Sequence, residues 1–377
     1  MKWVVPALVL ALAGGLAVAD GGGTTVEKGK PAAEQPSGNP NKAEPGLAEL
    51  GWKSYDATYV PVKDWTMKVL HGGYAAVTTK GGNQVIPLPV KDKDGVAVKA
   101  EQFAIEVDAN HDGKMDERIK TDGAMCLVSV SYADGTIAPY AVRFQKGGGG
   151  SWNWQRSGFW MATINKTQLG ILDNNNNGKY DENGEDAVSV GLTGYATPLS
   201  DVVSLGGTLY SLKVEENGKK IWVKEFAGET GKLDARSGHK SLGMLGSAMF
   251  QNGQTYIDLC TIKDKAAVVP TGSYLFFGGE CKATSGGQSA LMKTGTMVAV
   301  DVKKDDTTKI AWGMDLKIDF DFDISGGTVS IMVSTLHVYG SSGEEYYSFT
   351  PPAFMPVVQV LNAKTGDQEQ KGSMSMC

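Results

Sequence analysis

Apolar positions along this chain recur at every second residue far more often than at every third or fourth. The clearest run is 314–324, where Met314, Leu316, Ile318, Phe320, Phe322 and Ile324 alternate with Asp315, Lys317, Asp319, Asp321 and Asp323. A strand with one buried and one wet face gives this pattern, because successive side chains leave a pleated backbone on opposite sides. The acidic side of that run reads as a solvated sheet face. Alternation with β-branched and aromatic residues predicts further strands at 102–107, 126–132, 140–145, 159–164, 208–214, 220–225, 255–261, 272–277, 296–302, 328–336 and 357–361. Turn pairs such as Asp134-Gly135, Asn217-Gly218 and Gly326-Gly327 separate them. No long stretch has helical spacing. The expected fold is therefore all-β, with two β-sandwich-like domains, and 49 glycines suit short strands joined by turns.

A composition shift near 228–240 marks the expected boundary between a β domain at 48–235 and a C-terminal sandwich at 236–377. In the second, Val269-Pro270-Thr271-Gly272-Ser273-Tyr274 resembles the strand starts of immunoglobulin and prealbumin-like sandwiches, a likeness of fold that carries no function. The first residues have the layout of a secretory signal. Lys2 precedes an apolar stretch at 3–16, and Ala17-Val18-Ala19 is a small-x-small cleavage site, so 1–19 is the expected leader. The stretch is short for a bilayer span, and no later one reaches about 18 apolar residues. The expectations are a secreted, periplasmic or cell-envelope location and no membrane span after cleavage. Residues 20–47 bury too little to offset their ordering entropy and read as a disordered linker.

The net charge of −6 and the scattered Lys and Arg argue against nucleic acid as a partner. Export permits disulfides among Cys126, Cys260, Cys281 and Cys377. Cys260 and Cys281, in neighbouring predicted strands, are the expected pair, with Cys377 free or joined to Cys126. None of the four has metal-ligand spacing.

Two segments carry the strongest chemistry. Asp108-Ala-Asn-His-Asp-Gly-Lys-Met-Asp-Glu117 and Asp173-Asn-Asn-Asn-Asn-Gly-Lys-Tyr-Asp-Glu182 place oxygen-bearing side chains at relative positions 1, 3, 5 and 9, with Gly at 6. That spacing suits a hard cation, Ca²⁺ above all. These segments resemble the calcium loops of EF-hand and dockerin proteins. The resemblance implies ligands from Asp108, Asn110, Asp112, the Lys114 carbonyl and Asp116. In the second loop it implies Asp173, Asn175, Asn177, the Lys179 carbonyl and Asp181. It covers about ten residues each time. Position 12, where an EF-hand has a bidentate Glu, is Ile119 in one loop and Gly184 in the other, so Glu117, Glu182, Glu185 and Asp186 are the alternatives for completing the shell. The flanks read as strand and turn, and His111 is expected to point outward. The plain alternative is that Asp, Asn and Gly simply form turns. Affinity of order 10⁻⁴ to 10⁻³ M is expected for so few charges.

Trp152, Trp154 and Trp160 lie close together, with 156–158 as an expected hairpin turn. Buried, they are core; exposed, they would stack on sugar rings. Catalytic signals are weak: there is no H-E-x-x-H, G-x-S-x-G or phosphate loop. The leading expectation is a secreted calcium-binding structural or ligand-binding protein without catalysis, its partner a cell-surface glycan or another envelope protein. The alternatives are a calcium-aided carbohydrate-binding module and a secreted hydrolase acting on glycans through paired carboxylates.

Overall fold

A computed structural model describes residues 8–11, 46–62, 68–69, 73–192, 194–241, 243–284, 287–325, 328–350, 357–361, 365 and 367–373. The fold is all-β: the described residues hold many short strands in several mainly antiparallel sheets, two 3-10 turns and no α-helix. Two compact units divide the chain. One joins residues 1–50 to 351–377, and the other is 51–350. In the first, Val357–Leu361 pairs in parallel with Leu8–Ala11 and antiparallel with Gln368–Ser373.

Among its described residues the larger unit contains two large hydrophobic cores and a small third cluster around Phe159 and Leu172. Alternation builds the first. In Met125–Ser131, Cys126, Val128 and Val130 point inward, and in Ile137–Lys146 Ala138, Tyr140, Val142 and Phe144 do the same. Antiparallel register sets Val128 against Tyr140 and Cys126 against Val142. Trp152, Trp154 and Arg156 occupy the inner face of the next strand, Trp152–Arg156. The second core gathers Leu233, Phe250, Tyr274, Phe276 and Trp312, the Trp312 ring lying edge-on to Phe276 at 5.0 Å. The chain passes from one core to the other between Val223 and Leu233. Hydrogen bonds tie them together: Asp201 N–H donates to the Gln254 carbonyl at 2.9 Å, and Tyr256 N–H to the side-chain Ser200 Oγ at 2.9 Å. Among the described residues no helix is long and apolar enough to cross a membrane.

Three sequence expectations need correction. The 314–324 run is not one half-buried strand. It breaks into Lys317–Asp319 and Phe322–Ser325, after left-handed turns at Gly313 (φ 104°) and Asp315 (φ 64°). Met314, Leu316 and Phe322 stay 48, 39 and 48 % exposed. Lys317–Asp319 is the edge of its sheet, and alternation buries a face only where a second layer covers it.

The second correction concerns 156–158, which do not turn a hairpin. Trp152–Arg156 pairs with Ile137–Lys146, whereas Gly158–Ile164 pairs with Thr167–Leu172 and Thr58–Pro61, so the chain crosses between sheets at Ser157. Ser157 N–H donates to the Ala141 carbonyl at 2.7 Å, and its Oγ–H to the Val62 carbonyl at 2.6 Å.

The third is the disulfide. Cys126, Cys260 and Cys281 are free thiols. Cys281 lies in Gly272–Ala283, and Cys260 just follows Thr255–Asp258. The strand Gly243–Asn252 runs between those two. Two strand spacings are roughly 10 Å, beyond disulfide reach. Cys377 lies outside the described residues.

Candidate metal centre

The first acidic loop is the tip of a β-hairpin. Ile105–Val107 pairs antiparallel with Glu117–Ile119, with Val107 opposite Glu117, so Asp108 and Asp116 face each other at the mouth. This register explains the missing position-12 ligand: Ile119 is buried opposite Ile105. Inside the loop each oxygen-bearing side chain folds back on the backbone. Asp108 Oδ2 accepts from Gly113 N–H at 3.1 Å, Asn110 Oδ1 from Asp112 N–H at 2.9 Å, and Asp112 Oδ1 from Lys114 N–H at 2.8 Å. Asp116 Oδ2 accepts from Ala109 N–H at 3.0 Å, and its Oδ1 accepts from Asn110 Nδ2 at 3.2 Å. Gly113 takes φ 89°, which a side chain would strain.

Carboxylate oxygens of Asp108, Asp112 and Asp116 thereby come within 4.8 Å of one another. Asp108 is only 2 % exposed, and its Oδ1 is buried with no hydrogen-bond partner. A buried anionic oxygen left unpaired is costly, and like charges gathered around it raise that cost. A divalent cation cancels both. Of the expected ligands, Asp108, Asp112 and Asp116 converge, and Asn110 is bonded to Asp116. Lys114 is exposed, and its backbone N–H, not the expected carbonyl, bonds within the loop, donating to Asp112 Oδ1. His111 does not point out as expected. Its Nε2 lies 2.5 Å from the Ser129 carbonyl, and left-handed backbone (φ 67°) turns it toward the neighbouring sheet.

The second loop spans the antiparallel pair Thr167–Leu172 and Ala187–Val190, with Leu172 opposite Ala187. Asp173 and Asp186 therefore occupy the mouth, as Asp108 and Asp116 do in the first loop. Both are fully buried. Asp173 Oδ2 accepts from Gly178 N–H at 2.6 Å and from the Tyr140 hydroxyl at 2.7 Å, and its Oδ1 from Asn177 N–H at 3.1 Å. Asp186 accepts from Asn174 N–H at 3.3 Å and Glu182 N–H at 2.9 Å. Burial, then the charge of Asp173, pushes the Asp186 carboxyl up to about 8. Asp173 is likewise raised by burial, against the pull of its hydrogen bonds and of Arg156. Asn175 and Asn177 meet at a different group: their Nδ2 atoms both donate to Glu182 Oε2.

Lys179 Nζ pairs with Glu216 at 2.9 Å and Asp181 is exposed, and among the described residues no three carboxylates of this loop converge as Asp108, Asp112 and Asp116 do. Sequence spacing underrated Glu182 and Asp186. The signal for Asp186 was its place immediately before the returning strand, matching Asp116.

Trp152, Trp154 and Trp160 are buried in the first core, so their rings offer no platform for a sugar. A shallow cleft lined by Val188, Tyr195, Thr197, Tyr256 and Asp258 holds one carboxylate, Asp258. Asp258 is tied to Ser247 Oγ, Ala248 N–H and Cys260 N–H. No known family model, curated protein or solved structure matches the chain.

Proposed function

We propose that this chain is an exported calcium-binding protein of structural or ligand-binding type, in which the hairpin loop of Asp108, Asn110, Asp112, Lys114 and Asp116 holds one Ca²⁺. The observation that carries this reading is the unpaired, buried Asp108 Oδ1 beside two further carboxylates. The ion staples the hairpin tip to the fold, and its ligands are all oxygens, as a hard cation requires. The Lys2, 3–16 and Ala17-Val18-Ala19 leader pattern supports export to a secreted or cell-envelope location, where calcium is plentiful. The partner, an envelope protein or a cell-surface glycan, meets a surface other than the tryptophans. Calorimetric titration of the mature protein with Ca²⁺ tests the reading. Saturable binding that Asp108→Asn abolishes supports it, and absence of binding in the unaltered protein rejects it.

A further inference from the structure

The two loops share a sequence pattern and a place at the mouth of an antiparallel pair, yet they balance charge differently. In the first, the position-5 residue is Asp112, whose carboxylate joins Asp108 and Asp116. In the second that position is Asn177. Its amide and that of Asn175 donate to Glu182 Oε2, so two N–H groups stand where a cation would otherwise draw oxygens together. Asp173 and Asp186 have both oxygens satisfied by backbone N–H groups and Tyr140.

A positive charge is also present. Arg156 is buried and comes from the inner face of Trp152–Arg156, in a different sheet. Its Nη2 donates to Asn174 Oδ1 at 3.1 Å and its Nη1 to the Asn174 carbonyl at 3.4 Å. Its own backbone N–H donates to Asn176 Oδ1 at 2.8 Å. The guanidinium interacts favourably with Asp173 above all, and with Asp186 when that carboxyl is ionised. It cannot be deprotonated in a protein, so the charge is permanent.

We infer that the second loop is closed by Arg156 and two Asn amides in place of an ion, so that the chain binds a single Ca²⁺, at the first loop. The number of ions rests on the proposed calcium reading, whereas the Arg156 brace stands without it. Calcium stoichiometry is measured by calorimetry on the mature chain and on Asn177→Ala and Asp108→Asn variants. The expected values are one, one and none. Two ions in the unaltered chain, falling to one in Asn177→Ala, would overturn the inference and keep the first site. No ions at all would reject the calcium reading alone. The brace is then read separately, by melting in chelator: Arg156→Lys, which keeps the charge but loses the fork, is expected to melt several degrees lower. Unchanged melting of Arg156→Lys would overturn the brace.

Discussion

Asp108→Asn carries two predictions of opposite sign. In the unaltered protein, about 10 mM Ca²⁺ over a dissociation constant of order 10⁻⁴ to 10⁻³ M adds about 1.4–2.7 kcal/mol by mass action. For a unit of this size that corresponds to a rise in melting temperature of roughly 2–4 °C over chelator. Asp108→Asn removes the anionic ligand and with it the rise. In chelator the same change is favourable. Asn keeps a carbonyl oxygen to accept the Gly113 N–H, and its neutral amide removes the like-charge repulsion with the Asp112 and Asp116 carboxylates within 4.8 Å. Relief of that repulsion is worth about 1 kcal/mol or more, or roughly 2 °C. Differential scanning calorimetry of both proteins, with calcium and with chelator, gives four melting temperatures. The variant is expected above the unaltered protein in chelator and below it in calcium. A variant that keeps the full calcium increment, or an unaltered protein that melts alike in both buffers, refutes the reasoning.

The pH dependence follows from Asp186, which keeps its proton up to about pH 8 in the fold against an ordinary 3.8. The folded state then holds more protons than the unfolded one across that window, so its contribution is full below about pH 4 and drains as pH rises through 8. Urea midpoints at pH 5 and pH 8.5 are expected to fall more steeply for the unaltered protein than for Asp186→Asn. Trp154→Ala, which empties the centre of the first core, is expected to cost about 3–5 kcal/mol in urea unfolding; a loss below 1 kcal/mol would mean the ring is not packed. In a Cys377→Ser background, burial lifts the Cys126 and Cys260 thiols to about 12. Thiol reagent at pH 8 is therefore expected to label the native chain slowly and the denatured chain fully, and reductant is expected to leave the melting temperature unchanged.

Much of the fold was legible because strand alternation is a local signal. Thr208–Val214 and Lys220–Glu225 begin and end where the pattern places them. The convergence of Asp108, Asp112 and Asp116 was legible for the same reason, since they fall within nine residues and fold back on their own backbone. What depended on a second segment was not. The apolar side of 314–324 alternates as a buried face does, but the layer that would cover it is set by other segments of the chain. Asp186 stands 13 positions after Asp173, and only the Leu172–Ala187 register brings the two to one mouth. Nothing near the second loop announces Arg156, which reaches it from a strand of another sheet. Cys260 and Cys281 belong to predicted neighbours in sequence, but an intervening strand separates them in space.

Ser157 leaves the first core with little freedom to come apart in stages. It is the sole residue between Trp152–Arg156 and Gly158–Ile164, and it pins Ala141 on one side and Val62 on the other. Peeling one layer pulls directly on the next, so force applied to either strand is shared by both. Under mechanical extension this half of the molecule should yield in a single rupture, with no half-opened state in which one sheet survives without its neighbour.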